Sequence, residues 1–560
     1  MQTIPLVDQV VPVATQHTNV LFVQLYSERQ PPNWEPFSAE VLCGTLDRYC
    51  RNCEAQIFVY NPLVNADVHA ELLDVIHSAH FDVIGLSIPQ GTRVSALRIL
   101  DDIDRIFPAD ARPLVLLGHN LPTGMPESFL ELYPWTVVVR GWGDDALVSL
   151  IRMVQAGQLD MHRVPSASFV EDGAIVNTEL SYTLPPAKPK RYRIGEYFAC
   201  VETSRGCHYG RCTFCVRPPG PKNYWSRIPL ETILETIQEL KDHGVYYFTF
   251  VDEDFIGNDL EGARAIADGI RQIGGVNFSF SVRSDNFFNP RATEEANEQR
   301  IEIFRALQAA GLVRVFIGLE SASDSQLKRY GKGISARDSL AAVALVKRLG
   351  IEVSAGFIMF DPFLTLDELR EISANLKESG VWENISLFFH KMRVQKNTPL
   401  EKMLRHKNML GELDLDVLDY GWDFVDPRMA ALSDLCIHWE GELKSIYMQL
   451  MNLERTTTDD MVAREYARAI RYINLEILDD ALAQIEQLGD DYAQLTASRG
   501  LRARRYELVL RLKSLVGDRT GRDEEKLLIR AIDAFLQSEG QALEVDPAAH
   551  AYFFTSTQQF

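Results

Sequence analysis

The sequence has no long apolar stretch and few positive charges for its length. No window approaches the roughly 20 apolar residues of a membrane-spanning helix. The N-terminal segment MQTIPLVDQVVPVATQ has no basic region followed by an apolar core, so no signal peptide is expected. The formal net charge is −21, which argues against nucleic acid as a partner, because binding phosphates needs a basic surface. We therefore expect a cytoplasmic protein with no membrane and no nucleic-acid partner.

Cysteine is sparse, with 8 in 560 residues, yet Cys207, Cys212 and Cys215 fall close together. In a reducing compartment, a disulfide framework is the weaker explanation for this cluster. Three thiolates from one loop can hold three irons of a four-iron cluster and leave the fourth iron open. The alternative is a structural zinc site with Cys200 as the fourth ligand, although such sites usually use two tight cysteine pairs and only one is present.

The first domain is predicted to span residues 1–156. Apolar runs of strand length alternate with helical stretches, at residues 19–26, 56–60, 81–88, 114–118 and 136–140. This alternation predicts an α/β fold with a doubly wound, Rossmann-like parallel sheet. Ligands of such sheets lie beyond the carboxyl ends of the strands, which points to residues 87–92, 118–122 and 141–144. No G-x-G-x-x-G follows the first strand, so a nicotinamide cofactor is not expected.

A connector is predicted at residues 157–196. Residues 168–177 read as a hairpin whose turn is Asp172-Gly173. Residues 184–190 then form a proline-rich stretch without periodicity, expected to be extended and fairly stiff. We place the boundary between domains in this stretch.

Residues 197–400 repeat the alternation of strand and helix and predict a barrel or partial barrel, with chemistry at the carboxyl ends of the strands. Polar side chains collect at those ends, namely Asp252, Glu253, Asp254, Arg283, Ser284, Asp285, Glu320, Ser321, Ser323 and Asp361. Each charged residue among them has an alternative role in an ion-paired or solvated barrel rim.

The last predicted domain spans residues 401–560. Here the sequence predicts no further strands and four amphipathic helices, at residues 429–453, 458–487, 490–515 and 523–537. We expect an all-α region that covers the barrel mouth and shapes a substrate pocket.

The cysteine loop resembles that of the radical S-adenosylmethionine (SAM) enzymes, whose usual pattern is Cys-x3-Cys-x2-Cys with an aromatic before the third cysteine. The matching phrase runs from SRGC at Cys207 to CTFC at Cys215, but its first gap holds four residues. The phrases FTFVDEDF, FIGLESASDSQLKRYGKG, AGFIMFDPFLT and KNTPL then resemble that family's core in order. The resemblance implies a six-strand (β/α)6 partial barrel of the TIM type.

The first domain resembles the cobalamin-binding domain that precedes one branch of these enzymes. The matching phrases are IGLSIPQGT, LVLLGHNLPTGMPE and VVVRGWGDDAL, the last with Trp142 and Asp144 in place of two glutamates of the branch's usual RGEGE. The cobalamin-binding residues implied by the resemblance are Ser87, Thr92, Gly118, His119 and Gly141. No Asp-x-His-x-x-Gly follows the first strand, so the lower ligand of cobalt is not identified. The alternative is a degenerate Rossmann-like domain that binds nothing.

The resemblance also implies roles in the barrel. Cys207, Cys212 and Cys215 would hold a [4Fe–4S] cluster, whose open iron takes the amino nitrogen and carboxylate of SAM. Arg283 is the candidate for the SAM carboxylate. Glu320 would accept a hydrogen bond from the SAM ammonium group. Ser321 or Ser323 would contact the ribose hydroxyls.

The function implied is that of a cobalamin-dependent radical SAM enzyme. SAM cleavage would yield a 5′-deoxyadenosyl radical, and methylcobalamin would then methylate an unactivated carbon of a peptide or small-molecule natural product. A reducing partner such as flavodoxin or ferredoxin would supply electrons. One alternative keeps both cofactors but performs a non-methylating cyclisation or rearrangement. Another is a non-catalytic iron–sulfur or zinc protein.

Overall fold

The computed structural model describes residues 16–27, 34–217, 220, 224–385, 388–456, 460–517 and 523–543. The chain divides into two compact units. The first unit comprises Met1–Val282, Glu298–Arg314 and Val394–Gly421, and the second comprises Arg283–Asn297, Val315–Arg393 and Trp422–Phe560.

The first sheet is built from seven strands of the first unit. They are β1 (Thr18–Leu25), β2 (Cys53–Tyr60), β3 (Val83–Ser87), β4 (Leu114–Gly118), β5 (Val137–Val139), β6 (Ala167–Glu171) and β7 (Ala174–Asn177). The order is β2-β1-β3-β4-β5-β6-β7. The first five strands pair in parallel, whereas β6 and β7 add as an antiparallel hairpin. The hairpin predicted in the connector therefore extends this sheet.

Six helices belong to the chain segment of the first sheet: α1 (Phe37–Tyr49), α2 (Val68–Ser78), α3 (Arg93–Ile106), α4 (Asn120–Gly124), α5 (Glu127–Leu130) and α6 (Asp144–Ala156). Buried side chains of α2 to α5 pack with alternate residues of β1 such as Leu21 and Val23. Those of α1 and α6 pack on the opposite face with Val20 and Phe22. Helices thus cover both faces, as predicted for a doubly wound sheet.

The proline-rich connector runs over α1 and is held by a buried ion cluster. The Arg191 guanidinium lies 2.5 Å from a Glu35 carboxylate oxygen and 3.1 Å from one of Glu40. The Glu40 carboxylate also accepts the Tyr192 N–H at 2.8 Å. A Cβ on Gly44 would clash with the Lys188 carbonyl, so the connector approaches the helix at a position without a side chain.

The second sheet consists of β8 (Ala199–Val201), β11 (Tyr247–Phe250), β12 (Asn277–Arg283), β13 (Leu312–Glu320) and β14 (Glu352–Phe357), in the order β14-β13-β12-β11-β8. β11 pairs in parallel with β8 and β12. Between β8 and β11, the strands β9 (Ser204–Gly206) and β10 (Trp225–Arg227) form a separate antiparallel hairpin.

The helices of this segment are α7 (Leu230–Asp242), α8 (Leu260–Ile273), α9 (Glu294–Ala309), α10 (Asp324–Arg329), α11 (Ala336–Arg348) and α12 (Leu366–Ser379). The strand and helix alternation predicted for a partial barrel is present. The predicted sixth strand, at residues 385–390, is described only in part, because residues 386–387 lie outside the described residues. Ile385 forms an isolated parallel bridge with Ala355 of β14.

Among the described residues, the expectation of no strands beyond residue 400 is wrong. A small sheet forms from β15 (Val394–Gln395), β16 (Leu410–Asp414) and β17 (Asp419–Trp422), in the order β15-β17-β16. Its strands are short, polar and partly exposed, so they carry no apolar alternation that would reveal them in the sequence.

The prediction that the rest of the chain is helical is confirmed, although several helices begin and end at other residues than predicted. The helices are α13 (Pro399–His406), α14 (Pro427–Glu442), α15 (Lys444–Thr456), α16 (Asp460–Leu488), α17 (Arg499–Val516) and α18 (Asp523–Leu543). Four 3-10 helices complete the described elements: Met161–Arg163, Ser284–Asn286, Val381–Asn384 and Gly489–Ala497. The helix predicted at 429–453 is interrupted at Leu443, and the one predicted at 490–515 begins in a 3-10 segment.

Candidate active site

The three clustered cysteines lie in the loop that follows β9. Gly206, directly before Cys207, has a φ of +86°, and a Cβ there would clash with the Tyr224 carbonyl. Only glycine fits this position, since the left-handed conformation and the close approach both exclude a side chain. The thiols of Cys207 and Cys212 are half-buried and that of Cys215 is exposed, and none is disulfide-bonded.

The donor set of this loop fits an iron–sulfur cluster by its chemistry. Three thiols of one loop are the ligands that hold three irons of a [4Fe–4S] cluster. Within the described ranges, no three His, Cys, Asp or Glu side chains are arranged to hold a single metal ion, whereas the three thiols of a cluster each bind a different iron. Cys200, the fourth ligand of the zinc alternative, lies buried in β8 and its thiol donates to the Phe198 carbonyl at 3.9 Å. Burial raises the pKa of the Cys200 thiol, which opposes the thiolate that zinc requires.

Carboxylates after β11 hydrogen-bond residues on both sides of Cys207. The Asp252 carboxylate accepts the N–H groups of Thr203 at 2.8 Å and Ser204 at 2.6 Å. Burial raises the pKa of Asp252 to about 6, while these hydrogen bonds oppose the rise. The Asp254 carboxylate hydrogen-bonds the His208 imidazole, directly after Cys207. These two predicted site residues are therefore placed where they position the loop.

Arg205 of β9 pairs with Asp144, the first residue of α6. Its guanidinium lies 2.6 Å from the Asp144 carboxylate and 3.0 Å from that of Glu202. Burial raises the pKa of Glu202 to about 7, although Arg205 opposes the rise. The other Asp144 oxygen accepts the Thr45 hydroxyl at 2.7 Å. Asp144, which replaces a glutamate of the resembled motif, thus links the start of α6 to β9, the strand directly before the cysteine loop.

A ligand site in the first sheet is expected between β1 and β3, because the order 2-1-3-4-5 reverses there. Gln24 lies opposite Ser87, and Ser87 lies opposite Gly118. The register places all three on the sheet face that α1 and α6 cover, at the carboxyl ends of their strands.

This row contains unsatisfied polar atoms and empty space. In the part of the chain that the structure describes, Gln24 Oε1 and Ser87 Oγ are buried without a hydrogen-bond partner. A Cβ added to Gly118 would have no atom within 4 Å. Buried polar atoms are normally hydrogen-bonded, so two neighbouring exceptions beside open space indicate a binding site. Ser87 and Gly118 were predicted for cobalamin, whereas Gln24 was missed; its only signal is a polar residue inside the apolar run NVLFVQLY.

The other predicted cobalamin residues lie at the same carboxyl edge. The Thr92 hydroxyl donates to the Pro89 carbonyl at 2.7 Å. His119 has a φ of +79°, and burial lowers its pKa. Gly141 has a φ of +77°, and a Cβ there would clash with the Tyr182 hydroxyl. A non-glycine residue in the left-handed region is uncommon, and the strained His119 backbone follows directly on the open Gly118 position.

The predicted SAM residues of the second unit are joined through Lys332. Arg283 makes two hydrogen bonds of 2.9 Å to the Asp285 carboxylate and one of 3.0 Å to the Lys332 carbonyl. The Lys332 ammonium lies 3.5 Å from Glu320. Glu320 has a φ of +69°, a strained conformation that clusters at functional sites. Lys332 was not predicted as a site residue, although it lies in the quoted RYGKG phrase.

The two predicted serines belong to a buried hydrogen-bond network. The Ser321 hydroxyl donates to Gln326, and the Ser323 hydroxyl donates to Glu371 at 2.9 Å. The Gln326 amide in turn donates to Asp361 at 2.8 Å. Their contact with the SAM ribose stays a prediction, as do the SAM roles of Arg283 and Glu320.

Comparison with protein families identifies the domain around this loop. Residues 201–375 match the model of the Radical SAM superfamily. This segment is a radical SAM domain. The match begins six residues before Cys207 and includes β9 to β14, so the resemblance of the cysteine loop is confirmed.

Known proteins resemble the chain beyond the radical SAM domain. The 4′-phospho-dehydrooxetanocin synthase of Priestia megaterium is 28% identical over 463 residues, and the alignment covers 71% of this chain and 62% of that protein. The chain therefore spans less than two thirds of the length of this relative.

Two solved structures share the fold. The cobalamin-dependent SAM radical enzyme OxsB, with aqua-cobalamin and SAM bound, superposes with a TM-score of 0.81 at 22% identity. The superposition covers 94% of the present chain and 84% of the OxsB chain. The radical SAM methyltransferase TsrM from Kitasatospora setae, with cobalamin and a [4Fe–4S] cluster bound, superposes with a TM-score of 0.57 at 16% identity. This superposition covers 70% of the present chain and 75% of TsrM. The chain thus has the fold of a cobalamin-dependent radical SAM enzyme, and the predicted α/β class with a helical C-terminal region is confirmed.

The predicted cofactors, a [4Fe–4S] cluster, SAM and cobalamin, agree with the radical SAM domain and with these two structures. Among the described helices, none is both long and apolar enough to cross a membrane.

Proposed function

We propose that the protein is a cobalamin-dependent radical SAM enzyme acting on a C–H bond of a small-molecule or peptide substrate. The observation that carries the proposal is the three-thiol loop, fixed between buried carboxylates, within the radical SAM domain. With the cluster and SAM bound, such a site supplies the 5′-deoxyadenosyl radical that removes a hydrogen atom, and cobalamin supplies a carrier for a methyl group or an electron.

The chain's own contribution to this chemistry is to bind and to position. Cys207, Cys212 and Cys215 would hold three irons. Asp252 holds the backbone before Cys207, and Asp254 holds the His208 side chain after it. Arg283 and Glu320 are the candidates for the carboxylate and ammonium groups of SAM. Their present partners are both charged, so SAM would join an existing ion network.

The row formed by Gln24, Ser87 and Gly118 at the switch point of the first sheet supports cobalamin binding. Gln24 Oε1 and Ser87 Oγ offer hydrogen-bonding atoms for the polar groups of a deeply inserted ligand, and Gly118 leaves the volume for it. A domain that binds nothing would have to satisfy both atoms with water, or leave them unsatisfied at a cost of about 1–3 kcal/mol each. No protein residue is assigned as the lower ligand of cobalt.

Methyl transfer and a non-methylating reaction both remain within this proposal. Methyl transfer was predicted and has its counterpart in the methyltransferase TsrM. The second candidate is a ring closure or other rearrangement, since the 28%-identical relative is named a synthase and not a methyltransferase. The mass of the product separates them, because methylation adds one methylene unit and a rearrangement adds none. A reducing compartment and an electron-donating partner such as flavodoxin or ferredoxin are required by either.

The proposal is tested by metal content and a visible spectrum on protein purified anaerobically after growth with cobalamin. We expect about four irons and about one cobalt per chain, and 5′-deoxyadenosine when SAM and a reductant are added. Iron without cobalt would retain the radical SAM chemistry and remove the cobalamin. Zinc without iron would contradict the assignment of the cysteine loop.

Filling the space at Gly118 should expel cobalamin without unfolding the chain. A Gly118→Leu variant places its Cβ where no atom lies within 4 Å, so we expect a normal fold and a cobalamin affinity at least about tenfold lower, a change of ~1.4 kcal/mol. Gly441→Leu is the matched control, since a Cβ there also meets nothing within 4 Å, in α14. Equilibrium binding followed by the cobalamin absorbance measures both. Unchanged affinity in Gly118→Leu would place cobalamin elsewhere.

A further inference from the structure

Lys391 of the second unit is a half-buried cation held by two aromatic rings. Its ammonium nitrogen lies 4.5 Å from the centroid of the Trp422 ring and 5.2 Å from that of Phe424. The two rings pack edge to face, with 4.8 Å between their centroids, and so form a corner around the ammonium group. Cations bind to the faces of aromatic rings, so the corner orders a side chain that is otherwise very mobile.

Among the residues that the structure describes, the ammonium group has no anionic partner. Across the described ranges, no carboxylate lies within 4.0 Å of Lys391 Nζ, and no hydrogen bond from this atom is formed. An ammonium carries three N–H donors, and aromatic faces satisfy none of them as an oxygen would. Lys332, by comparison, donates to the Gly318 carbonyl at 2.9 Å and pairs with Glu320. Lys391 therefore keeps its donors available for a ligand.

Its position in the fold is where a ligand of this sheet is expected. Lys391 bridges in parallel to Phe360, three residues beyond the last residue of β14. The Trp422 indole donates to the Met392 carbonyl at 2.9 Å, so the ring is fixed to the same segment. Chemistry on such sheets takes place at the carboxyl ends of the strands.

We infer that Lys391 binds an anionic group, a phosphate or a carboxylate, of the substrate. This inference rests on the proposed function and adds the substrate class to it. In a chain with a net charge of −21, an anionic substrate meets general repulsion and needs a dedicated cation. Oxygen acceptors would satisfy the three donors, and the ring corner would hold the ammonium group in place before binding, which lowers the entropic cost of recognition.

The experiment measures binding of phenyl phosphate, benzoate and benzyl alcohol to the full-length protein by calorimetry. We expect phenyl phosphate, benzoate or both to bind the wild type, and Lys391→Met to weaken that binding at least about tenfold. Lys391→Arg should retain most of it because the charge stays. Lys347→Met is the matched control: it removes an exposed lysine of the same unit that already pairs with Glu383 at 3.4 Å, and should change nothing.

The pattern across the three ligands identifies the anion. Loss of phenyl phosphate binding alone would assign a phosphate site, loss of both anions a general anion site, and loss of benzoate alone a carboxylate site. Equal binding of the anions to wild type and Lys391→Met, or no anion binding to wild type, would overturn the inference, as would an equal loss of the neutral benzyl alcohol. These measurements need no turnover. Failure of the proposed function would instead appear as absent 5′-deoxyadenosine with anion binding intact.

Discussion

Alanine in place of Cys207, Cys212 or Cys215 should abolish 5′-deoxyadenosine formation completely. A [4Fe–4S] cluster held by three thiolates loses a third of its protein ligands with each substitution, and SAM cleavage depends on that cluster. The fold should survive, because these side chains are exposed or half-buried and no disulfide is lost. The measurement is 5′-deoxyadenosine by liquid chromatography after addition of SAM and dithionite, with iron content and circular dichroism on the same samples.

Cys200→Ala is the control that separates the cluster from a zinc site. Cys200 lies in the core of β8 and is 1% exposed. If the loop holds an iron–sulfur cluster, Cys200→Ala keeps its iron and its activity, with at most a modest loss of stability from the small cavity. If instead Cys200 completed a zinc site, the variant would lose metal together with the three loop variants. Full activity in any of those three loop variants would contradict the cluster assignment.

Replacement of Arg191 by methionine should destabilise the first unit by roughly 3–5 kcal/mol. The Arg191 side chain is 2% exposed, and the carboxylates that it pairs with, those of Glu35 and Glu40, are 7% and 0% exposed. Without the guanidinium, two neighbouring buried carboxylates would have no counter-charge. Hydrogen exchange should therefore accelerate in α1 and β8, while α18 of the second unit stays as protected as in the wild type.

Two further variants make this prediction specific. Arg193→Met removes the exposed arginine two positions away, whose pair with Glu196 is 58% and 62% exposed, and should cost less than about 0.5 kcal/mol. Adding Glu40→Gln to Arg191→Met should recover part of the loss, because it removes one of the two buried charges. If Arg191→Met were as stable as Arg193→Met, the ion cluster would not hold the connector.

The loss in Arg191→Met should also depend on pH in a defined direction. Burial and, secondly, repulsion from Glu35 raise the pKa of Glu40 from an ordinary 4.5 to about 7, although Arg191 opposes the rise. An acid with a raised pKa binds its proton more tightly in the folded state, so its contribution to stability is full at low pH and is lost as the pH rises through 7. Without Arg191 the carboxyl groups favour the proton even more. The destabilisation should therefore be larger at pH 8 than at pH 5.

Much of the site's chemistry was predictable from local sequence. Three cysteines within one short loop indicate a metal site on their own, since thiolates bind iron and zinc in any fold. Likewise, the strands of the first sheet are continuous apolar runs because both faces are covered by helices, so their order along the chain could be read directly.

Other features depend on pairs of residues that lie far apart in the chain. In the sequence, Gln24 is a single polar residue in an apolar strand. Only the strand register shows that it lies opposite Ser87, which in turn lies opposite Gly118. The short strands β16 and β17 have no apolar alternation, so only their pairing reveals them. Lys391 is one lysine among many in the sequence, and it becomes distinctive only when Trp422 and Phe424 surround it without a carboxylate.

The sequence by itself determined the classes of element, the thiol loop and the family resemblance, because periodicity and ligand spacing are local properties of a chain. Only the tertiary structure decided which buried polar atoms are left without partners, which acids position the loop and which cation is available to a ligand. Those properties arise from strand register and from desolvation, which depend on residues tens to hundreds of positions away in the chain. The free energy of a buried charge is set by these neighbours rather than by its own residue type.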